Sequence, residues 1–373
     1  MAGEKIQYPQ GRSSASAVDS PVDASVEHLL VQLDLGSLNA SEVFSYPGRN
    51  DNWSGVTDTG KAVFVKRLKG NPKESLKRYQ RLMSFERLMN RGQSPFPRPE
   101  FLGGDEEGRL LVFGMLDDIR SGSELAAEDE FTEATSEEAG RTVAALHQLP
   151  FQPEDFPEPD PHPYPPVEDL RSLPLEHYVN ATGAFIQGWG LLQRDAALLD
   201  GLERLRATEA EAARVPIHGD LRLDQFLATE TALYVNDWEE FRLGDPARDV
   251  GAYAGEWLHR AVLRIPSQET DDAFSATLTH EEVVARGSEE LDRVLPLIAA
   301  FHRGYREGGG PDDEGLVVRA TSYAGWHLID RLIASTKENG RLSAIVRAAA
   351  GIGRTALLDP RSFVSTVGLG EAA

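Results

Sequence analysis

The stretch that most constrains the fold of this chain is residues 215–253, in which two aspartates follow short apolar runs. The first run ends in the motif HGD at 218–220, and the second is followed by NDW at 236–238. Short apolar runs bounded by turn residues predict β-strands, so Asp220 and Asp237 are expected at strand ends. Side chains at such positions can project from a rigid scaffold into a cleft.

Two acids at this spacing suit phosphoryl transfer. That chemistry needs a carboxylate to accept the proton of the attacking hydroxyl, and oxygen ligands for Mg2+. Asp220 is the candidate base, while Gln225 and Asp237 are the candidate metal ligands. The alternative is that both acids are ordinary solvated turn residues.

Composition narrows the class of protein. The chain has 373 residues, 38 Lys and Arg against 60 Asp and Glu, and a formal net charge of -22. Such a charge disfavours binding to nucleic acid or to an anionic membrane, and favours cationic ligands or simple solubility. The chain has no cysteine, which is compatible with a cytoplasmic location. Residues 1–24 lack the apolar core of a signal peptide and are expected to be a disordered lead-in.

The first part of the chain predicts a small sheet. Alternating and apolar runs indicate strands, and a basic helix is expected between the third and fourth of them. The predicted strands are residues 42–46, 53–57, 62–68, 101–103 and 109–115. From residue 137 onward the apolar spacing is mostly helical.

Three motifs carry a resemblance to a known family. They are HGDL at 218–221, DWE at 237–239 and GDPARD at 244–249. Together they resemble the aminoglycoside phosphotransferase and choline kinase branch of the kinase-like fold. The resemblance implies an α+β bilobal protein, with a five-stranded antiparallel nucleotide-binding lobe at 25–116 and a mostly helical catalytic and substrate-binding lobe at 117–373.

The resemblance also implies roles for single residues, with ATP and Mg2+ as cofactors. Arg222 occupies the place of a kinase lysine that meets the transferring phosphate, beside the base Asp220. Lys66 corresponds to the phosphate-binding lysine, and Glu86 is the candidate for its ion pair. An inward-facing ammonium on a strand is costly unless it is paired. The alternatives are a Lys66 that points to water and a Glu86 on the surface.

Two backbone segments are expected to contact the nucleotide. Small polar residues between the first strands, including Gly48, Asn50 and Ser54, would cover the phosphates with backbone amides. A plain hairpin turn would look the same. The segment from Gly114 to Leu116 lies where the family has the hinge that binds adenine.

Other residues near the motifs are expected to be structural. In the family the equivalent of Asp249 braces the HGD backbone, and His218 and His147 are expected to pack and orient. Only a few residues separate Asp237 from Gly244, which is too short for a long activation segment. The site is therefore expected to be assembled without a phosphorylation switch.

A more detailed likeness points to a substrate. SYPGRNDNW at 45–53, HGDLRLDQFL at 218–227, the run from DWEEF to WLHR at 237–260 and AAGIGRTALL at 349–358 resemble the kinase-like subunit of class V lanthionine synthetases. This resemblance implies phosphorylation of Ser and Thr in a ribosomally made precursor peptide with a leader, with separate lyase and cyclase subunits as partners. Gln225 replaces the broader family's Asn and places the carbonyl ligand one methylene further out.

Three other functions are compatible with the residues. An antibiotic-inactivating kinase would use the acidic charge to attract a polycationic drug. A kinase of another small alcohol would share the same catalytic residues. A non-catalytic scaffold would bind the precursor peptide and would keep its function after Asp220→Ala.

Overall fold

The computed structural model describes residues 16–17, 22–39, 42–46, 48–92, 94–157, 165–179, 181–265, 279–336 and 340–370. Most of the predicted lead-in, residues 1–24, therefore lies outside the described residues. The chain forms two compact units. The first contains Met1–Phe131, Pro150–Pro157 and Leu223–Phe241, and the second contains Thr132–Leu149, Glu158–Arg222 and Arg242–Ala373.

The strands form three antiparallel sheets. In the described residues they are β1 (Ser16–Ala17), β2 (Phe44–Tyr46), β3 (Asp51–Val56), β4 (Ala62–Arg67), β5 (Phe101–Asp105), β6 (Leu110–Gly114), β7 (Arg120–Ser121), β8 (Val215–Ile217), β9 (Phe226–Ala228), β10 (Leu233–Val235) and β11 (Arg242–Gly244). The first unit holds the sheet β1-β2-β3-β4-β6-β5 and the sheet β10-β9-β7. The second unit holds the pair β11-β8.

The α-helices of the described residues are α1 (Ala24–Gln32), α2 (Pro72–Met89), α3 (Gly122–Ala127), α4 (Glu133–His147), α5 (Val167–Arg171), α6 (Leu175–Val179), α7 (Gly183–Gln193), α8 (Ala196–Glu211), α9 (Ala247–Arg264), α10 (His280–Glu307), α11 (Leu316–Thr336), α12 (Ala344–Leu358) and α13 (Pro360–Phe363). Three-residue 3-10 helices cover Pro153–Asp155, Leu223–Gln225 and Trp238–Glu240. Among the described helices, none has the length and apolar character needed to cross a bilayer.

The large sheet of the first unit confirms the predicted five antiparallel strands, and β1 adds a short sixth strand beside β2. Val63 and Val65 on β4 alternate inward and are fully buried, as the period of a strand requires. They share a core with Val26 and Leu30 of α1. The two valines fix which face of β4 is turned toward this core. Lys66 follows Val65 and therefore projects from the opposite face of the strand.

Helix α2 begins where the sequence stops favouring a strand. Asn71 caps it by accepting the backbone N–H of Lys73, and Pro72 stands at the first helical position, where a missing N–H costs nothing. On the inner face Phe85 stacks on Trp238, with ring centroids 3.8 Å apart and planes 10° from parallel. Residues 223–241 thus pack with the first unit, although the sequence expectation placed them in the second lobe.

The second unit is mostly helical, as predicted. Helix α4 packs against α10, and α11 packs against both α9 and α12. Tyr253 of α9 and Phe301 of α10 stack at 3.8 Å between ring centroids and are fully buried. These helices hold the backbone that leads from β8 into the HGD motif.

Candidate active site

The pairing of β9 with β10 brings the two candidate metal ligands together. Phe226 pairs with Val235, and one residue further the N–H of Asn236 donates to the carbonyl of Gln225 over 2.9 Å. Gln225 and Asp237 therefore leave adjacent strand ends. The 3-10 helix that carries Gln225 lies against Gly122, where an added Cβ would come within 2.5 Å of the carbonyl oxygen of Leu223.

Asp237 has a left-handed backbone, with φ 64° and ψ 58°. This conformation costs an L-residue roughly 1–2 kcal/mol, although Asp tolerates it better than most. It ends the extended chain and starts the 3-10 helix Trp238–Glu240. Strain of this kind persists when the surrounding contacts fix it, and such residues cluster at functional sites.

Lys66 on β4 is paired with two carboxylates. Its Nζ lies 2.6 Å from Asp237 Oδ1 and 2.5 Å from Glu239 Oε1, and its side chain is only 13% exposed. Burial alone would lower the pKa of Lys66, but attraction to Asp237 and Glu239 outweighs burial and raises the pKa above its ordinary value. The ammonium therefore stays charged in a site that is shielded from solvent.

The prediction that Glu86 forms an ion pair with Lys66 was wrong. Glu86 lies near the end of α2, where it is buried and pairs with Arg98. Burial raises the pKa of Glu86 to about 7, and Arg98 offsets only part of that rise. The carboxylate that meets Lys66 in addition to Asp237 comes from Glu239, to which the sequence reasoning assigned no role.

Helix α2 contributes a cation to this network instead of an anion. The guanidinium of Arg78 is completely buried and donates to Glu239 Oε2 over 2.7 Å. It also donates to Asn50 Oδ1 at 3.2 Å and to the backbone carbonyl of Lys69. The sequence shows an acid, Glu239, directly after Asp237 and Trp238. It does not show that Arg78 is the cation that pairs with this acid.

The predicted phosphate-covering loop is tied down by its side chains. Asn50 is buried and donates to Glu239 Oε1 over 2.6 Å, which links the loop to the partner of Lys66. Ser54 lies on β3 and its hydroxyl is 2.8 Å from that of Tyr46 on β2. At Gly48 an added Cβ would come no closer than 3.9 Å to its nearest neighbour, Asn52 Nδ2. Contact of this loop with phosphates stays a prediction.

The predicted hinge follows β6. Gly114 donates its N–H to the carbonyl of Glu100 at 2.8 Å, and Met115 donates to that of Ala62 at 3.2 Å. These bonds fix the end of β6, and Leu116 is the next residue of the chain. The assignment of this segment to adenine stays a prediction.

In the second unit the HGD motif is held by Asp249. The carboxylate of Asp249 is fully buried and accepts the N–H of His218 at 2.7 Å and that of Gly219 at 2.9 Å. Gly219 has a φ of 83°, a conformation that glycine adopts without strain. This geometry matches the expected bracing role and directs the chain into Asp220.

Two histidines support the same loop. His147 of α4 is buried, with Nε2 3.1 Å from Asp249 Oδ2 and Nδ1 2.8 Å from the hydroxyl of Tyr305. His218 is also fully buried. Burial would raise the pKa of Asp249, but its hydrogen bond to His147 and its attraction to both histidines lower the pKa overall. The acid therefore remains an ionised acceptor.

Asp220 is accessible, with 44% of its side-chain surface exposed. Desolvation of the carboxylate raises the pKa of Asp220, and attraction to Arg222 and Arg331 offsets part of that rise. Arg222 Nε lies 3.6 Å from Asp220 Oδ2, so the two predicted catalytic residues are neighbours. A carboxylate with a raised pKa is a better proton acceptor than an ordinary aspartate.

The residues present fit a nucleotide with Mg2+. Asp237 and Gln225 offer oxygen ligands, and Lys66 offers an ammonium for phosphate. Asn52, which lies opposite Lys66 in the β3-β4 ladder, has a buried Oδ1 without a hydrogen-bond partner, an acceptor that suits a hydrated cation. In the described residues no group of three or more His, Asp or Glu could hold a metal by itself.

Solved structures with the same fold are numerous. The amicoumacin kinase hAmiN, solved with AMP-PNP, Ca2+ and Ami, is similar with a TM-score of 0.51 and 12% identity over 91% of this chain and 94% of that chain. LicA in complex with AMP is similar with a TM-score of 0.50 and 14% identity over 89% of this chain and 96% of that chain. LicA is a choline kinase from Streptococcus pneumoniae.

A search of curated protein sequences found no significant match. The family model for the phosphotransferase enzyme family, APH, matches residues 47–291, which is well over half of the chain and contains both candidate carboxylates. The chain therefore belongs to the APH phosphotransferase enzyme family, and it is an enzyme that transfers a phosphoryl group to a hydroxyl group.

Proposed function

We propose that this phosphotransferase uses ATP and Mg2+ to phosphorylate Ser and Thr hydroxyls of a ribosomally made precursor peptide. A separate lyase would then eliminate phosphate to give dehydroamino acids, and a cyclase would complete a class V lanthipeptide. The leader of the precursor would bind outside the reacting residues. A cytoplasmic location accompanies the proposal, since ATP and newly made peptides are found there.

Each reacting residue has one role. ATP, when bound, supplies the γ-phosphoryl group, while Mg2+ offsets the charge of its phosphates. Asp220 takes the proton of the hydroxyl as the oxygen forms its bond to phosphorus and the bond to the ADP oxygen breaks. Lys66 would hold the nucleotide phosphates, and Arg222 would interact with the transferring phosphoryl group. Gln225 and Asp237 would hold the metal.

Three properties of Asp220 in the structure support its proposed role as the base. Asp220 is accessible, has a raised pKa and follows a backbone that Asp249 fixes. These features suit a general base, because a base must be reachable, sufficiently basic and fixed in direction. The peptide acceptor is supported by the sequence likeness of residues 45–53, 218–227, 237–260 and 349–358 to the kinase-like subunit of class V lanthionine synthetases.

A second candidate is phosphorylation of a small molecule, either an antibiotic or an alcohol. It is supported by the similarity to two solved structures, an amicoumacin kinase and a choline kinase, each of which is named for a small-molecule acceptor. It uses the same reacting residues, so only the acceptor distinguishes the two candidates.

The test is a direct comparison of acceptors. Purified protein with ATP and Mg2+ is given the precursor peptide encoded nearest to its gene, with and without the partner lyase, and in parallel choline and a panel of aminoglycosides and macrolides. Peptide phosphorylation is expected, seen by mass spectrometry as phosphoryl groups on Ser or Thr, or as their dehydrated products when the lyase is present. Turnover with a small molecule and none with the peptide would establish the second candidate.

A further inference from the structure

The two carboxylates that meet Lys66 differ in exposure. The side chain of Asp237 is 30% exposed, whereas that of Glu239 is 8% exposed. A ligand that enters the site can therefore reach Asp237 more readily than Glu239. If Asp237 turns to a metal ion, Lys66 loses one of its two carboxylate partners and retains the other.

Glu239 is held on both oxygens. Oε1 accepts from Lys66 at 2.5 Å and from Asn50 at 2.6 Å, while Oε2 accepts from Arg78 at 2.7 Å. Charge-assisted hydrogen bonds of this length are the strong ones, and removing one member of a buried set leaves the others unsatisfied. Glu239 is therefore fixed by contacts that do not involve the metal ligands.

We propose that Glu239 is the positioning residue for Lys66. Arg78 and Asn50 fix its carboxylate, and that carboxylate keeps the ammonium of Lys66 directed at the nucleotide phosphates after Asp237 has turned to the metal. This inference rests on the assignment of Lys66 to the nucleotide, and it does not depend on the identity of the acceptor.

The arrangement explains why α2 bears a buried arginine at this point. In protein kinases a glutamate of the corresponding helix meets the lysine directly. Here the acid follows the DW pair and α2 supplies Arg78, so the helix acts on Lys66 through Glu239. Because Asn50 joins the same carboxylate, the proposed phosphate loop and Lys66 are aligned by one group.

The test measures nucleotide affinity in the intact protein. Glu239→Gln keeps the size of the side chain and removes its charge. Isothermal calorimetry is expected to show ATP binding, with Mg2+ present, weakened at least tenfold, and adenosine binding unchanged within twofold. Adenosine lacks the phosphates, so a variant that merely disturbed the fold would weaken both ligands. The readout needs no acceptor, so an error in the proposed substrate leaves it unaffected.

The matched control is Glu240→Gln. Glu240 is the next residue and also pairs with an arginine of α2, Arg81 at 2.7 Å, but in the structure it is not a partner of Lys66. ATP affinity within twofold of the wild type is expected for this control. Equal ATP losses in the two variants, or an unchanged ATP affinity in folded Glu239→Gln, would overturn the inference.

Two milder variants keep the test decisive if Glu239→Gln does not fold. Arg78→Lys retains a positive charge but offers a different donor geometry, and Asn50→Ala removes one donor to Glu239 Oε1. Both are expected to weaken ATP binding by about three- to tenfold without an effect on adenosine. Wild-type ATP affinity in both variants would contradict the inference.

Discussion

The buried carboxylate of Asp249 accepts a hydrogen bond of 2.7 Å from the backbone N–H of His218. Its second oxygen accepts the N–H of Gly219, so one side chain fixes two consecutive peptide units directly before Asp220. The direction of the proposed base therefore depends on an acid 29 residues further along the chain, at the start of α9.

Asp249→Asn is expected to lower both stability and activity. The amide has one acceptor oxygen in place of two, which leaves a buried N–H unsatisfied at a cost of about 1–3 kcal/mol. Urea unfolding should show a loss of this order, and kcat should fall at least tenfold because Asp220 is no longer held. Asp312→Asn, which alters an exposed pair with Arg306, is the control and should change neither. Wild-type kcat in a folded Asp249→Asn protein would disprove the bracing role.

Gln225→Ala should raise the Mg2+ concentration needed for half-maximal activity by about tenfold. The substitution removes the proposed carbonyl ligand and would leave Asp237 to hold the metal with the phosphates. A titration of ATP turnover against Mg2+ measures the effect. Gln80→Ala, at an exposed contact with Glu106, should leave the Mg2+ curve unchanged. An identical Mg2+ requirement in wild type and Gln225→Ala would exclude Gln225 from the metal site.

Much of the fold could be predicted from the sequence because local patterns determine it. The run at residues 62–68 identified the strand that became β4, and the helical apolar spacing of the later chain identified α10 and α11. The bracing by Asp249 was also expected, because the resemblance to the aminoglycoside phosphotransferase and choline kinase branch implied it.

The partner of Lys66 could not be predicted in the same way. Glu86 lies on α2 and Glu239 lies on the 3-10 helix that packs against α2, and the choice between them depends on the rotation of α2 about its axis. That rotation is set by Phe85 on Trp238 and by Arg78 on Glu239, contacts between segments far apart in the chain. A sequence pattern gives the face of one element, but it does not give the partner opposite that face.

Glu86 should make the stability of the protein depend on pH. Its pKa is about 7 in the folded protein against 4.5 for an ordinary glutamate. Between these values the folded state binds more protons than the unfolded state, so this group's contribution to stability is full below pH 4.5 and declines as the pH rises through 7. Glu86→Gln should therefore lose less stability than the wild type between pH 5 and pH 8, as measured by urea unfolding. A parallel decline in both proteins would contradict the burial effect.

Arg331 should lower the pKa of Asp220, the proposed base. Its positive charge lowers the pKa of Asp220, against the desolvation that raises it. Arg331→Met is therefore expected to raise that pKa and to move the acid limb of the kcat/KM profile to higher pH. Arg306→Met, at an exposed pair with Asp312, should leave the limb in place. A shift to lower pH, or no shift, would mean that Asp220 is not the titrating base or that Arg331 does not act on it.

The most direct test of the account is ATP turnover by Asp220→Ala with the precursor peptide, Mg2+ and the partner lyase present. The wild type should transfer phosphoryl groups to Ser or Thr, and the variant should lose at least a thousandfold in kcat while it binds ATP with unchanged affinity. Peptide phosphorylation at the wild-type rate by Asp220→Ala would contradict the assignment of the base. Absence of ATP turnover by the wild type with peptide and partners together would contradict the proposed reaction.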